Sequence, residues 1–330
     1  PFGYSDSDST QIPNNFVKKA GNTLHLKTKN IAIKNLLLIK KNKPLDSLLV
    51  KESERIIRSQ RFTRSVTSHM KVVSGDSVDV YVRVLDSWSL IPDASTSTSK
   101  SKFYLKDKNI FGLGHEFSNS YTKSLKSNQE GYSTSYFIPT IRNTFISTRL
   151  DYEIDLDRNY AKSIDIQRPF FSSYTRWAAG INLGQNLNKI LTLDFNQVES
   201  IQSAKFNYQD YWAGHAFRIF KGNTEYSRTT NFVTSARFYN KNYVEKPFVN
   251  LDSLDIYASE KLYLISFGIT SRKFTQDKYI FNLNVVEDVA SGFVYNITTG
   301  YQKKYGEYKF YAGARVEMGT YFTFGYLSGN

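Results

Sequence analysis

The sequence predicts a mainly β fold, a transmembrane antiparallel β-barrel preceded by one small α+β module. Three observations predict it. From residue 103 onward, apolar and polar residues alternate at a period of two in about twelve segments, many of about 9–12 residues, the length that crosses a bilayer when tilted. Aromatic residues make up 15% of the 330, yet mean hydropathy is −0.44, so the apolar side chains are interleaved with polar ones. The longest aliphatic run, Leu36 to Ile39, falls far short of the roughly 20 residues a membrane-spanning helix needs.

Composition removes several function classes. With no cysteine there is no disulfide framework, no thiolate zinc site and no cysteine nucleophile. His25, His69, His115 and His215 are far apart and lack metal-site spacing. Net charge is +13, and residues 1–102 carry 17 Lys and Arg against 9 Asp and Glu. No dense basic cluster accompanies that balance, so no nucleic-acid partner is expected.

The N-terminal module reads as residues 1–102. Residues 31–39 form a short helix candidate. Residues 46–59 follow as an amphipathic helix with Asp46 as N-cap, and with Leu49, Ser53, Ile56 and Ile57 near one face. Val66, Ser68, Met70 and Val72 then alternate along a strand. A Ser74-Gly75-Asp76 turn leads into a second strand carrying Val78, Val80, Val82 and Val84. Residues 93–102, rich in Ser and Thr, read equally as a linker or as an edge strand.

Residues 103–330 read as barrel strands. Ile146, Thr148, Leu150, Tyr152 and Ile154 point one way, opposite Ser147, Arg149, Asp151, Glu153 and Asp155. A slip of one residue would put charges on the apolar face, which specifies the register. The same alternation recurs around Trp177–Leu183, Phe232–Phe238 and Tyr263–Ile269. It returns at Tyr279–Val285, Phe293–Ile297 and Tyr308–Val316, and Tyr or Phe recurs near strand ends. A soluble all-β domain, with its apolar side turned inward, is the competing architecture.

The stretch Asp107-Lys108-Asn109-Ile110-Phe111-Gly112-Leu113-Gly114 resembles the signature that opens the barrel of BamA-like outer-membrane assembly and translocation proteins. In that superfamily a periplasmic POTRA module precedes a surface-antigen-type β-barrel. Glu52 to Phe62 looks like the second POTRA helix and its exit, and Val80 to Leu90 like the last POTRA strand and its run-out. Glu287-Asp288-Val289 with Gly292 resembles a strand-turn pattern of the same barrels. The resemblance implies sixteen strands, of which about 12–13 are visible. It also implies a POTRA first strand that only residues 22–29 could supply. The family's lid-loop triplet and its aromatic-ended closing strand are absent, so the chain is expected to be part of a longer protein.

The resemblance implies a location in the bacterial outer membrane, with the N-terminal module in the periplasm. It implies insertion or translocation of unfolded outer-membrane or secreted polypeptides, captured by β-augmentation and passed to a weak barrel seam or lumen. The residues it singles out are Val66, Met70 and Val72 on the module edge, and Ile56 and Ile57 beside a helix-facing groove. On the seam strand they are Phe111, Gly112, Gly114, Phe117 and Tyr121. The glycines read equally as a tight turn into the strand. Outer-membrane lipid and accessory lipoproteins or other assembly subunits are the further partners implied. No cofactor and no enzymatic activity is expected: Asp151, Glu153 and Asp155 read as a solvated lumen wall, and no Gly-x-Ser-x-Gly or P-loop occurs. A dedicated two-partner-secretion transporter and a passive porin or receptor barrel are the alternative functions.

Overall fold

The computed structural model describes residues 15, 16, 19, 22, 23, 25–193, 199–247, 255–278, 280 and 286–330. The module begins with a one-turn helix, α1 (Asn30–Lys34), and continues into α2 (Ser47–Arg58). Asp46 caps α2 as its position predicts, its carboxylate accepting from the amides of Leu48 (3.0 Å) and Leu49 (3.4 Å). The buried face of α2 is Val50, Ser53, Ile56 and Ile57, rotated slightly from the expected Leu49 stripe. Glu52 is also buried, because Arg55 one turn later grips both of its oxygens, at 2.8 and 2.7 Å.

Strands β1 (Thr63–Ser74) and β2 (Ser77–Asp86) form the expected hairpin, with Val66 opposite Val84, Met70 opposite Val80 and Val72 opposite Val78. They make a two-stranded sheet. The described residues of 25–29 add no strand to it. The core beneath α2 consists of Leu36, Ile56, Ile57, Phe62 and Val66, closed by Phe145 from outside the module.

The second sheet is a thirteen-stranded antiparallel meander in strict sequence order. Its strands are β3 (Leu90–Thr96), β4 (Lys100–Ile110), β5 (His115–Ser124), β6 (Glu130–Ile138), β7 (Ser147–Ile154), β8 (Tyr160–Arg168) and β9 (Trp177–Leu193). They continue as β10 (Glu199–Arg218), β11 (Thr230–Glu245), β12 (Glu260–Lys278), β13 (Val286–Lys304), β14 (Glu307–Phe322) and β15 (Gly325–Gly329). Among the described residues the sheet is open, since β3 and β15 each pair on one side only.

The structure adds to the sequence reading in some particulars and differs from it in others. Residues 90–102 belong to a hairpin, so the sheet starts at Leu90, and β3 is the edge strand. Strands β9–β14 run to 16–20 residues, longer than a bilayer requires. Their extensions pair through polar groups, such as Gln185 with Asn207 and Lys205 with Glu245, so the ladder continues past the apolar band. Glu287 to Gly292 lies inside β13 and forms no turn; Gly292 is a kink at φ +138° where the backbone of Ser271 passes too close for a side chain. A one-turn helix, α3 (Glu225–Thr229), interrupts the strands and is capped by Thr224. The strand expected at Tyr279–Val285 lies outside the described residues.

Candidate functional site

The site is built where the module meets one end of the large sheet. The stretch expected to open a seam strand instead ends β4, at Asp107 to Ile110, and makes the turn into β5, at Phe111 to Gly114. Asn109 is fully buried there: its amide nitrogen donates to the carbonyl of Leu26 (3.3 Å) and the hydroxyl of Thr28 (2.9 Å), and its side-chain oxygen accepts from the Gly114 amide (2.7 Å). Segment 25–28 is thereby tied to the sheet. From its other side Asp86, at the end of β2, accepts from the Thr28 amide (2.8 Å) and contacts His25 Nε2 (3.2 Å). Burial works to raise the Asp86 carboxyl, but those hydrogen bonds outweigh it and hold the group below its ordinary value.

The two glycines of that turn have a packing role. Gly112 (φ +70°) and Gly114 (φ +74°) sit in the left-handed region. A Cβ on Gly112 would strike the carbonyl of Lys27, and one on Gly114 would lie 2.6 Å from the Phe62 ring. The turn reading of these glycines is therefore the correct one. Strand β5, carrying Phe117 and Tyr121, is flanked on both sides by β4 and β6 and is no seam strand. Both side chains lie on the outer face, Phe117 edge-on to Tyr136 at 6.1 Å and Tyr121 opposite Tyr132. Phe111 has φ +56° and is 63% exposed.

Ion pairs extend the docking along α2. Asp46 meets Arg228 of α3 at 2.7 Å, and Lys51 meets Glu225 at 3.3 Å. Arg55 stacks over Phe274 at 4.2 Å, and Arg58 chelates Asp288 of β13. Arg228, donating a hydrogen bond to Asp46, holds that carboxyl below its ordinary value and is itself raised by the pair. Burial pushes the nearby Tyr174 phenol up to about 12. In the turn between β6 and β7, Phe145 (φ +58°) inserts into the module core and stacks on Phe171 at 4.0 Å. The partners of α2 are not legible in the sequence, because each pairs residues more than a hundred positions apart.

The predicted module residues separate into two groups. Ile56 and Ile57 are core, packed against Phe62, Leu36 and Val66, and they line no groove; an apolar helix face of that width is consumed in holding the hairpin. Val66 is buried with them. Met70 and Val72, farther along the same strand face, are 51% and 71% exposed, with Val78 of β2 exposed opposite. The hairpin outruns α2, so its apolar tip is uncovered, and among the described residues β1 pairs only with β2.

On the large sheet the apolar face is the exposed one. Tyr211, Phe238, Tyr263, Tyr301 and Phe310 stand directly opposite one another across five strands. Nearer the module, Phe217, Phe232, Ile269, Tyr295 and Val316 make a second row. All of these side chains are exposed except the half-buried Phe238, Tyr301 by 54% and Phe310 by 67%. The rows lie six residues apart along β11, about 20 Å at strand rise. The opposite face carries Arg149, Asp151, Asp165, Asp210 and Arg237, with Arg237 Nε donating to Asp210 at 2.8 Å.

No family model matches the chain, and no curated protein matches it. Among solved structures, the crystal structure of BamA from Haemophilus ducreyi lacking POTRA domains 1–3 is similar over 92% of this chain and 77% of that chain. Sequence identity over that match is 12% and the TM-score is 0.36. A match at that level does not by itself establish a shared fold; the architecture here rests on the strand order and registers above.

Proposed function

We propose that this chain supplies the barrel wall and adjoining periplasmic module of an outer-membrane polypeptide insertion or translocation machine of the BamA-like class. The outward-facing apolar band supports the membrane part of the reading. A soluble sheet buries its apolar face against a second layer, whereas here the two aromatic rows are uncovered and the charged face is turned away from them. Along strands tilted about 35–45°, their separation of about 20 Å corresponds to about 15 Å of membrane depth, within the roughly 25 Å lipid-facing band of a barrel.

The module supports the client part. A β1 edge with no strand partner among the described residues, beside the exposed Met70, Val72 and Val78, offers main-chain hydrogen bonds and an apolar track to an extended polypeptide. A captured strand then has the equally unpaired outer edge of β3 as its next acceptor. No chemistry on the client is required, so the activity is non-enzymatic.

The experiment is site-specific capture. A photo-crosslinking residue at Met70 or Val72, in cells carrying the protein in their outer membrane, is expected to trap unfolded client chains. The same residue at exposed Lys71, on the other face of β1, traps fewer. Equal capture at all three positions, or liposomes with the protein that insert and export no client, contradicts the reading.

A further inference from the structure

The outer face of β5 and β6 ends, on the module side, in a cavity of about 240 Å³. It lies between α1, the β4–β5 turn and the β6–β7 turn. Ile31, Leu36, Phe62, Leu113, Ile138 and Ile141 form its apolar wall, and Arg142 contributes the one cationic side chain of the lining. The apolar character spills onto the surface around it. Ile31 is 53% exposed, and Leu26, Phe111 and Ile141 are exposed as well.

Basic residues neighbour this lining along the chain: Lys27 and Lys29 precede α1, and Lys34 ends it. Among the described residues, Lys27, Lys29, Lys34 and Arg142 form no ion pair. Lys34 follows Ile31 by one helical turn, and Lys29 is held against the β4–β5 turn by its amide, which donates to the Gly112 carbonyl at 2.8 Å. The acidic residues of the same stretch are already engaged: Asp107 accepts the Asn109 amide, and Glu116 holds Lys106 and Arg61. Backbone conformation points the same way. Phe111 (φ +56°) and Arg142 (φ +53°) both occupy the left-handed region, which bulky side chains rarely adopt, at the two turns that flank the cavity.

Resting on the outer-membrane reading above, we propose that this cavity binds one anionic phospholipid of the leaflet facing the module. An acyl chain enters the apolar slot, and the phosphate lies against Arg142 with Lys29 and Lys34 beside it. The position fits, because His115 and Ile138 are the last outward-facing residues of their strands, where the apolar face gives way to headgroups. The lipid would touch both bodies at once: Ile31 and Lys34 from the module, Leu113 and Arg142 from the turns of the sheet. It would act as a third component of the docking interface.

The test is native mass spectrometry of the protein taken from nanodiscs containing equal phosphatidylglycerol and phosphatidylcholine. One retained phosphatidylglycerol is expected. Arg142→Asn removes the charge while tolerating the left-handed backbone, and should lower that retention about tenfold. Leu113→Trp fills the slot from an independent position and should abolish it. Equal retention of the two lipids overturns the anionic site, as does unchanged phosphatidylglycerol in both variants. Either result leaves the outer-membrane reading standing if the protein still enters the nanodisc bilayer. A protein that enters no bilayer overturns both.

Discussion

Arg58 of α2 chelates Asp288 of β13, Nε to Oδ2 at 2.8 Å and Nη2 to Oδ1 at 3.1 Å, across 230 positions of sequence. The two side chains are largely withdrawn from solvent, at 7% and 15% exposure, at the contact between the module and strands β12 and β13. The bidentate geometry fixes the orientation of α2 beneath the sheet.

Removing one partner leaves the other buried and unpaired. Arg58→Ala is expected to destabilise the docked state by about 3–5 kcal/mol, and a paired replacement of both residues by apolar groups by much less. Protease susceptibility of the module in membrane-embedded protein measures it, with a double-mutant cycle isolating the pair. Additive losses would show that the two residues act independently.

Gly112→Ala and Gly114→Ala should each loosen the junction, by about 1–3 kcal/mol, because each adds a clash to a left-handed backbone. Gly75→Ala is the control, since nothing lies within 4 Å of its Cβ position. Thermal unfolding of the three variants checks this, and equal midpoints would contradict the packing role given to the junction turn.

Acid should undo the α2–α3 contact in a defined window. The Asp46 carboxyl lies below its ordinary value of 3.8 because Arg228 donates to it. A depressed carboxyl contributes its full stability above 3.8 and loses it as pH falls through the lower folded value. Docking followed by pH should therefore be flat above about pH 4 and weaken below it. Asp46→Asn keeps a good helix cap but loses the ion pair, so it should remove much of that acid step and leave α2 formed. An unchanged acid step would assign it to other carboxylates.

Much of this architecture was legible in the residues and some of it was not. Period-two alternation located β7, β9 and β11–β14, and the Ser74-Gly75-Asp76 turn placed the β1–β2 hairpin, because these signals are local. The β3–β4 hairpin read equally as a linker: Ser and Thr suit a solvated coil as well as an edge strand, and only pairing with β5 decides between them. The junction signature was visible as a motif, but its work was misread. Asn109, Gly112 and Gly114 serve the Leu26–Lys29 segment and Phe62, and a contact between residues fifty or more positions apart leaves no periodic trace. Ile56 and Ile57 looked available because an amphipathic helix face announces that it will be buried without saying by what.

A charge on the outer face should be costly in a bilayer and tolerated on the inner one. Ile265→Arg, between the two aromatic rows on β12, is expected to cost about 2–4 kcal/mol of folding in lipid. Ser266→Arg, one residue on and facing the other way, should cost far less. Folding yields into vesicles over a urea series compare them, and equal yields would place the band outside the bilayer.

On the proposed function, the aromatic rows face lipid. The chain has no cysteine, so a thiol placed at Ile265 or at Ser266 is the only one present. A fluorophore on each, in membrane-embedded protein, can be challenged with acyl-chain quenchers and with a water-soluble one. Strong acyl-chain quenching at 265, with water-soluble quenching at 266, is the result predicted. Equal access of the water-soluble quencher to both positions, with no acyl-chain quenching at 265, would contradict it.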